Sequence, residues 1–469
     1  MIPRFPFRQT FILDMTLAFC LATLVSKADE ALSAGDAPAK AASTAAARAW
    51  SELPDLLARI APPVFPGREF VITDYGAVGD GRTDCTGAFR DAIAACSRDG
   101  GGRVVVPAGV FLTGAIHLQS NVNLHLVKNA TIRFSMEPKD YLPVVFTRYE
   151  GNEVMNFSPF IYAPGQENVA ITGEGTLDGQ ASRAVWYSWK SGPDPRQLEA
   201  MTARGVPVEQ RIFGDGHHLR PNFIEPVGCK NVLIEGVHII DSPMWVIHPL
   251  YCTNVIVRGV TVETKGPNTD GCDPDSSSDV LIQNCSFSDG DDCIAIKSGR
   301  DTDGLRVNLP SRNIVIQNCT FKDGHGGVTV GSETSGGIEN VFAENCRFDS
   351  PNLDMAMRFK TGMTRGGIIE DIYIRNCATK TAKVGIDMTM KYPGTLNGTN
   401  VPVMRDIEIR DCRFANLLDR PIFIEGFSAA VQITDVTIAN CDFQNAKSPG
   451  VITNASRIHL IDNYGGGWN

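Results

Sequence analysis

A nine-residue frame recurs along this chain: Asn or Asp, an alternating apolar strand, then Asn/Asp-Cys and, two residues on, an aromatic. It reads Asp279-Val-Leu-Ile-Gln-Asn-Cys-Ser-Phe287, and returns at Asn313, Asn340, Asp406 and Asp435, with a weaker copy at Asp371 and looser ones beginning at Asn168, Asn231 and Asn254. The copies start about 23 to 35 residues apart, a spacing typical of solenoids. Each copy holds a strand, a polar turn and a second short strand. Neither strand has a partner inside its own repeat, so pairing must come from the repeats before and after. Parallel stacking of such units gives an all-β, right-handed parallel β-helix of about ten coils, one every ~4.8 Å. A doubly wound α/β fold would need helices between the strands, and those are missing. The repeated Asn can bond neighbouring backbone at the turn, and the repeated Cys suits a small inward position. Most of the thirteen cysteines therefore read as buried thiols rather than bridges.

Two stretches look helical, residues 41–60 and 86–98, and both are expected at the N-terminal end of the solenoid, covering an otherwise open edge. Arg4 and Arg8, an apolar run over residues 15–25 and small residues after it resemble a secretory signal cleaved after Ala28. A disordered tail, or a start misassigned upstream of Met15, is the bland alternative. The chain thus divides into a signal (1–28), an Ala-rich linker with an amphipathic helix (29–66) and a β-helix domain (67–469), expected to be monomeric and secreted or periplasmic. A net charge of −10 argues against a nucleic-acid or anionic-membrane partner, and no later segment is long and apolar enough to span a bilayer.

The chemistry emerges from counting within the frame. Asp291 lies six residues after Cys285, and His325 six after Cys319. Equal phase in neighbouring coils puts both side chains on one face, about one coil apart. Asp270 precedes Asp291 by 21 residues, while Arg358 and Lys360 follow His325 by 33 and 35. Down one side of the solenoid run a carboxylate, the pair Asp291–Asp292, an imidazole and two cations. A single Asp-Gly in a solenoid turn merely satisfies backbone groups, and Gly-His-Gly or Arg-x-Lys alone carries little. The ordered, in-phase set is what marks a site. Glycosidic hydrolysis needs one carboxylic acid to protonate the leaving oxygen and one carboxylate to activate water. Crowded carboxylates keep one of their number protonated, a His can tune that proton, and Arg and Lys suit a sugar that bears a carboxylate. An acidic chain can then serve a polyanionic polysaccharide, because only the cleft need be basic.

The strings Asn268-Thr-Asp270-Gly-Cys-Asp273, Gly290-Asp-Asp292, Gly324-His-Gly326 and Arg358-Phe-Lys360, in that order, resemble glycoside hydrolase family 28, the polygalacturonase family. Tyr75-Gly-Ala-Val-Gly-Asp-Gly81 and Ile171-Thr-Gly-Glu-Gly-Thr-Leu-Asp-Gly179 look like the same family. Phe359 departs from the usual Ile and is expected to point away from the cleft. The resemblance implies an inverting hydrolase of α-1,4-galacturonosidic bonds, with no metal and no cofactor. It makes Asp291 the general acid, Asp270 and Asp292 the water activators and His325 the support of the acid's protonation. Arg358 and Lys360 would bind substrate carboxylates, with Asn268 and Tyr392 as further contacts and Lys297 and Arg300 as candidates for a neighbouring subsite.

Other readings stay open at this point. Rhamnogalacturonan and xylogalacturonan are alternative substrates. A β-eliminating lyase would need a Ca²⁺ site and a catalytic cation, and a non-catalytic glycan-binding β-helix would have no use for clustered acids. The non-repeat segment over residues 183–221, with Trp186, Trp189 and His217-His218, is long enough to wall one end of a cleft. That points to end-wise cleavage. Without a matching Cys or His cluster, the paired His reads as loop rather than metal ligand.

Overall fold

The computed structural model describes residues 44–465. One coil shows how the repeat builds the fold. Ser311–Gln317 forms the first strand, Asn318 turns the chain, Thr320–Phe321 forms the second, and a third strand, Gly324–Gly331, follows before the chain climbs to Ile338–Glu344. Every strand pairs in parallel with its counterpart one coil away, as in Val280, Ile314, Val341 and Ile372, which stand in register. Three long faces result. The first two run the length of the stack, and the second has 13 strands, so there are more coils than the about ten expected. The earliest coils, such as Gly102–Val106 and Val122–Leu126, pair like the others but lack the Asn–Cys frame. The result is a parallel β-helix, right-handed as parallel crossovers require.

The repeated Asn and Asp have a backbone reason. Asn313, Asn340, Asp371, Asp406 and Asp435 open their frames at φ 54 to 56°, and Asn284, Asn318, Asn345 and Asn376 precede their cysteines at φ 54 to 58°. Each coil thus needs left-handed residues at both turns, a conformation Asn and Asp tolerate best after Gly. The first set also stacks: Asn340 donates to Asn313 (2.7 Å), which donates to Asp279 (2.8 Å), and Asn254, Asn231 and Asn168 form a similar ladder below. The expected bond to neighbouring backbone is therefore largely replaced by side chain bonded to side chain.

Inward positions fill the core. The repeated cysteines are buried, their thiols facing carbonyls of the strand before, and the 12 cysteines among the described residues are all free thiols. Phe287, Phe321 and Phe348 stack with ring centroids 5.9 and 5.1 Å apart. Phe321→Ala is expected to destabilise the enzyme by about 3–5 kcal/mol, read from the denaturant midpoint at unchanged slope.

The helix Thr86–Arg98 caps the stack as expected, burying Phe89, Ala92, Ile93 and Cys96. Residues 59–61 depart from expectation. Arg59 lies 3.6 Å from Asp279, and Ala61 exchanges hydrogen bonds with Asn254 (3.1 and 2.8 Å). Those partners belong to mid-stack coils, so these residues lie along the flank rather than at the first coil. The proposed signal, residues 1–28, lies outside the described residues. No described helix is long and apolar enough to cross a membrane.

Candidate active site

The third face is where regularity gives way. Between Ile224–Val227 and Ile294–Ile296 its strands shrink to isolated bridges, Ile247 to Cys272 and Cys272 to Ile294. Asp270 sits at this interruption, and the Asp270 and Asp292 rungs are tied by Gly271 N–H donating to the Asp292 carbonyl (3.0 Å). His325 N–H donates to the Asp291 carbonyl (2.9 Å), and His325 Nδ1 lies 3.0 Å from Asp291 Oδ1. Equal phase in neighbouring coils thus brings the two side chains into contact. One oxygen from each of Asp270, Asp291 and Asp292 lies within 4.8 Å of the others.

Gly326 makes the cluster possible. A Cβ there would come 2.1 Å from Thr329 Oγ1, 2.7 Å from Asp292 Oδ1 and 3.2 Å from Arg358 Cδ. The missing side chain opens a gap through which Arg358 and Lys360, from the next strand, reach Asp292 at 3.1 and 2.5 Å. Phe359 between them is wholly buried in the core, as alternation requires. Tyr392 packs over this pair, its ring centroid 5.0 Å from Lys360 Nζ and 5.8 Å from the Arg358 guanidinium. Asn268 rims the trio at φ 54°, its Oδ1 accepting from Arg220 (2.8 Å).

Lys297 and Arg300 are both committed to protein carboxylates. Lys297 is 2 % exposed; its ammonium lies 3.2 Å from Asp270, 3.3 Å from Glu333 and 4.0 Å from Asp273, and 4.3 Å from the Trp245 ring centroid. Arg300 binds Glu150 (3.1 Å) and Glu199 (2.5 Å). Lys297 thus reaches the trio through Asp270, and Arg300 joins Glu150 to Glu199. Glu333, Asp273, Trp245, Arg220 and Asp387, which pairs opposite Arg358, complete the surroundings; of these only Asp273 stands in a motif, Asn268-Thr-Asp270-Gly-Cys-Asp273, and its role there is not legible from the sequence.

These fields sort the carboxyls. Burial, with Asp291 and Asp292 adding to it, raises Asp270 to about 7 against the pull of Lys297. Asp292 is buried too, yet Lys360 and Arg358 bring it below the ordinary range. Asp291 is also driven low against burial, by the His325 hydrogen bond first and then by Lys360, and that same bond raises His325. At rest the cluster's proton therefore sits on Asp270, while the Asp291–His325 pair is ionic, its proton on the ring. The trio's spacing would also suit a divalent cation, but Lys297, Arg358 and Lys360 already supply positive charge there.

Beside the trio stands a wall. The antiparallel strands Val145–Tyr149 and Asn152–Asn156, the helix Asp194–Ala203 and the strand Ile212–Phe213 bury Tyr149, Val154, Leu198, Phe213 and Leu219 against Met244 and Trp245. Ion pairs stitch it to the stack, Arg148 to Asp275 (2.7 Å) and Arg211 to Asp303 (2.8 Å). Residues 183–221 supply much of this wall, as expected, and His217 and His218 bond Asp194 at the helix start (3.1 and 2.6 Å).

The model for glycosyl hydrolases family 28 matches residues 96–456. The chain belongs to glycoside hydrolase family 28. A probable polygalacturonase of Vitis vinifera is 33% identical over 357 residues, 72% of this chain and 67% of that one. An exo-poly-alpha-D-galacturonosidase of Dickeya chrysanthemi is 29% identical over 428 residues, 81% of this chain and 67% of that one. The solved structure of a hyperthermoactive exopolygalacturonase from Thermotoga maritima is 40% identical with a TM-score of 0.85, covering 89% of this chain and 96% of that one. This is a glycoside hydrolase on a parallel β-helix, and its carboxylate trio is the candidate centre of that family-28 activity.

Proposed function

We propose that the protein is an exported polygalacturonase that cuts α-1,4-galacturonosidic bonds end-wise by single displacement. The observation that carries this reading is the trio's position between a wall on one side and Arg358 and Lys360 on the other. The Asp291–His325 pair delivers the proton. As the C1–O bond breaks, His325 Nδ1 passes its proton to Asp291 Oδ1 (3.0 Å) and the leaving oxygen takes it from there. Ionised Asp292, with Asp270 beside it, takes the proton of the water whose oxygen bonds to C1. One oxygen from each of the trio lies within 4.8 Å of the others, closer than the ~6.5–9.5 Å of a two-carboxylate inverting site, so the anomeric configuration of the product is the deciding measurement. A first product of inverted anomeric configuration, read by proton NMR, supports single displacement, and retention overturns it.

The mode of attack is tested on polygalacturonic acid. Short products of one size from the first minutes, with little fall in viscosity, are expected, whereas an early ladder of oligomers would mean internal cleavage. Rhamnogalacturonan and xylogalacturonan assayed in parallel decide the polymer, and the paired cations on the side opposite the wall favour an unbranched uronate chain. A lyase would give an ultraviolet-absorbing product.

A further inference from the structure

On the other side of the trio from Arg358 and Lys360 lies a chamber of about 930 Å³. Its floor comes from four successive rungs at the turns after the second sheet: Ala181, Asp241, Lys265 with Gly266, and Gly290, the neighbour of Asp291. Three rung intervals at ~4.8 Å give it roughly 14 Å of length, room for a sugar ring. Its outer side is non-repeat chain, Ser182, Arg183 and residues 187–191. Tyr187 lies on Gly266, where a Cβ would come 2.3 Å from the ring, and a Cβ on Gly290 would come 2.0 Å from the Gly266 carbonyl, so both glycines keep this edge open.

The charges lining the chamber are unevenly satisfied. Lys265 is bound to Asp323 (2.7 Å) and Ser288 (2.8 Å). Arg183 and Lys190 are exposed and, among the described residues, have no carboxylate partner, unlike nearly every other cation around the trio. With the straight path along the third face filled by the wall, this chamber is the space a chain end beside Asp291 can occupy.

We propose that this chamber is a second uronate subsite, in which Arg183 and Lys190 bind the carboxylate of the sugar on the far side of the scissile bond from Arg358 and Lys360. This rests on the galacturonan reading above. Cations on both sides of Asp291 make the centre selective for a bond flanked by acid sugars. Asp241, the acid lining the chamber, opposes the anion and limits how tightly the released end is held.

The test uses trigalacturonate with the full-length protein. The double variant Arg183→Ala/Lys190→Ala is expected to raise KM by about tenfold with kcat within about twofold, and Asp241→Asn to lower KM. Opposite signs separate a charge-binding site from a structural role, since mere disruption of the chamber would weaken both variants. Binding of trigalacturonate is also measured by calorimetry, independently of turnover. If the wild type binds but does not hydrolyse it, and the double variant loses affinity, the subsite stands and the catalytic reading falls. Unchanged affinity in the double variant, or loss in both variants, overturns the subsite.

Discussion

Asp291→Asn is expected to lower kcat on polygalacturonic acid by roughly 10³-fold while KM moves by less than about threefold. The amide keeps the shape and can still meet His325, but it has no proton to give the leaving oxygen. A loss confined to kcat means that the interaction exists only in the transition state. The pH profile adds an independent reading. His325 is raised above 6.5 by Asp291, so its contribution to stability is whole below 6.5 and fades as pH rises through its elevated folded value. Asp291 is held below 3.8, so its contribution is present above 3.8 and is lost as pH falls through the depressed value. The ionic pair therefore spans the mildly acidic range. The delivered proton comes from His325, so activity is expected to fall as pH rises through the raised His325 value. The trio titrates as a unit, and the proton on Asp270 at rest need not be the one Asp291 delivers. An Asp291→Asn enzyme with kcat near wild type would remove Asp291 from the acid role.

How far the sequence spoke for the structure varies from residue to residue. The in-phase placement of Asp291 and His325 was legible because both hang from a frame whose register the Cys and Phe columns lock; a slip of one residue would turn Phe287 and Phe321 outward. The inward Phe359 follows from the same alternation. The third strand of each coil was not legible. Gly324–Gly331 carries Gly and Thr where the other faces carry Ile and Val, since that face makes room for the site. The contact of Lys297 with Asp270 was not legible because its burial is imposed from outside the repeat: Trp245 covers it, and the wall behind Trp245 comes from residues 145–156 and 194–213. Periodicity also could not place residues 59–61, because their partners Asp279 and Asn254 lie some two hundred residues on.

Arg148→Met is expected to cost about 3–5 kcal/mol of stability and to loosen the wall that makes cleavage end-wise. Arg148 and Asp275 are both wholly buried, paired at 2.7 Å, and the guanidinium also bonds Tyr251. Asp275 stays ionised despite burial because Arg148 and then His248 hold it. Methionine fills much of the space but leaves that charge with no cation in contact except His248 (3.3 Å), beside the Gly299 N–H (3.0 Å). The neighbouring Thr147 is fixed to buried Glu225 at 2.6 Å, and Asn222 bonds both Glu225 (2.8 Å) and the Arg148 carbonyl (3.3 Å). Loss of the guanidinium therefore removes one anchor of the hairpin while the neighbouring Thr147 bond to Glu225 remains. Two readouts separate the effects. The denaturant midpoint should fall in Arg148→Met and partly recover in Arg148→Met/Asp275→Asn, where no buried charge is stranded. The viscosity of polygalacturonic acid should drop faster per reducing end released in both variants, because the hairpin has lost that anchor in each. An Arg148→Met enzyme that keeps both the wild-type midpoint and the wild-type viscosity ratio would show that the apolar packing of Tyr149, Val154 and Leu198 holds the wall without this ion pair.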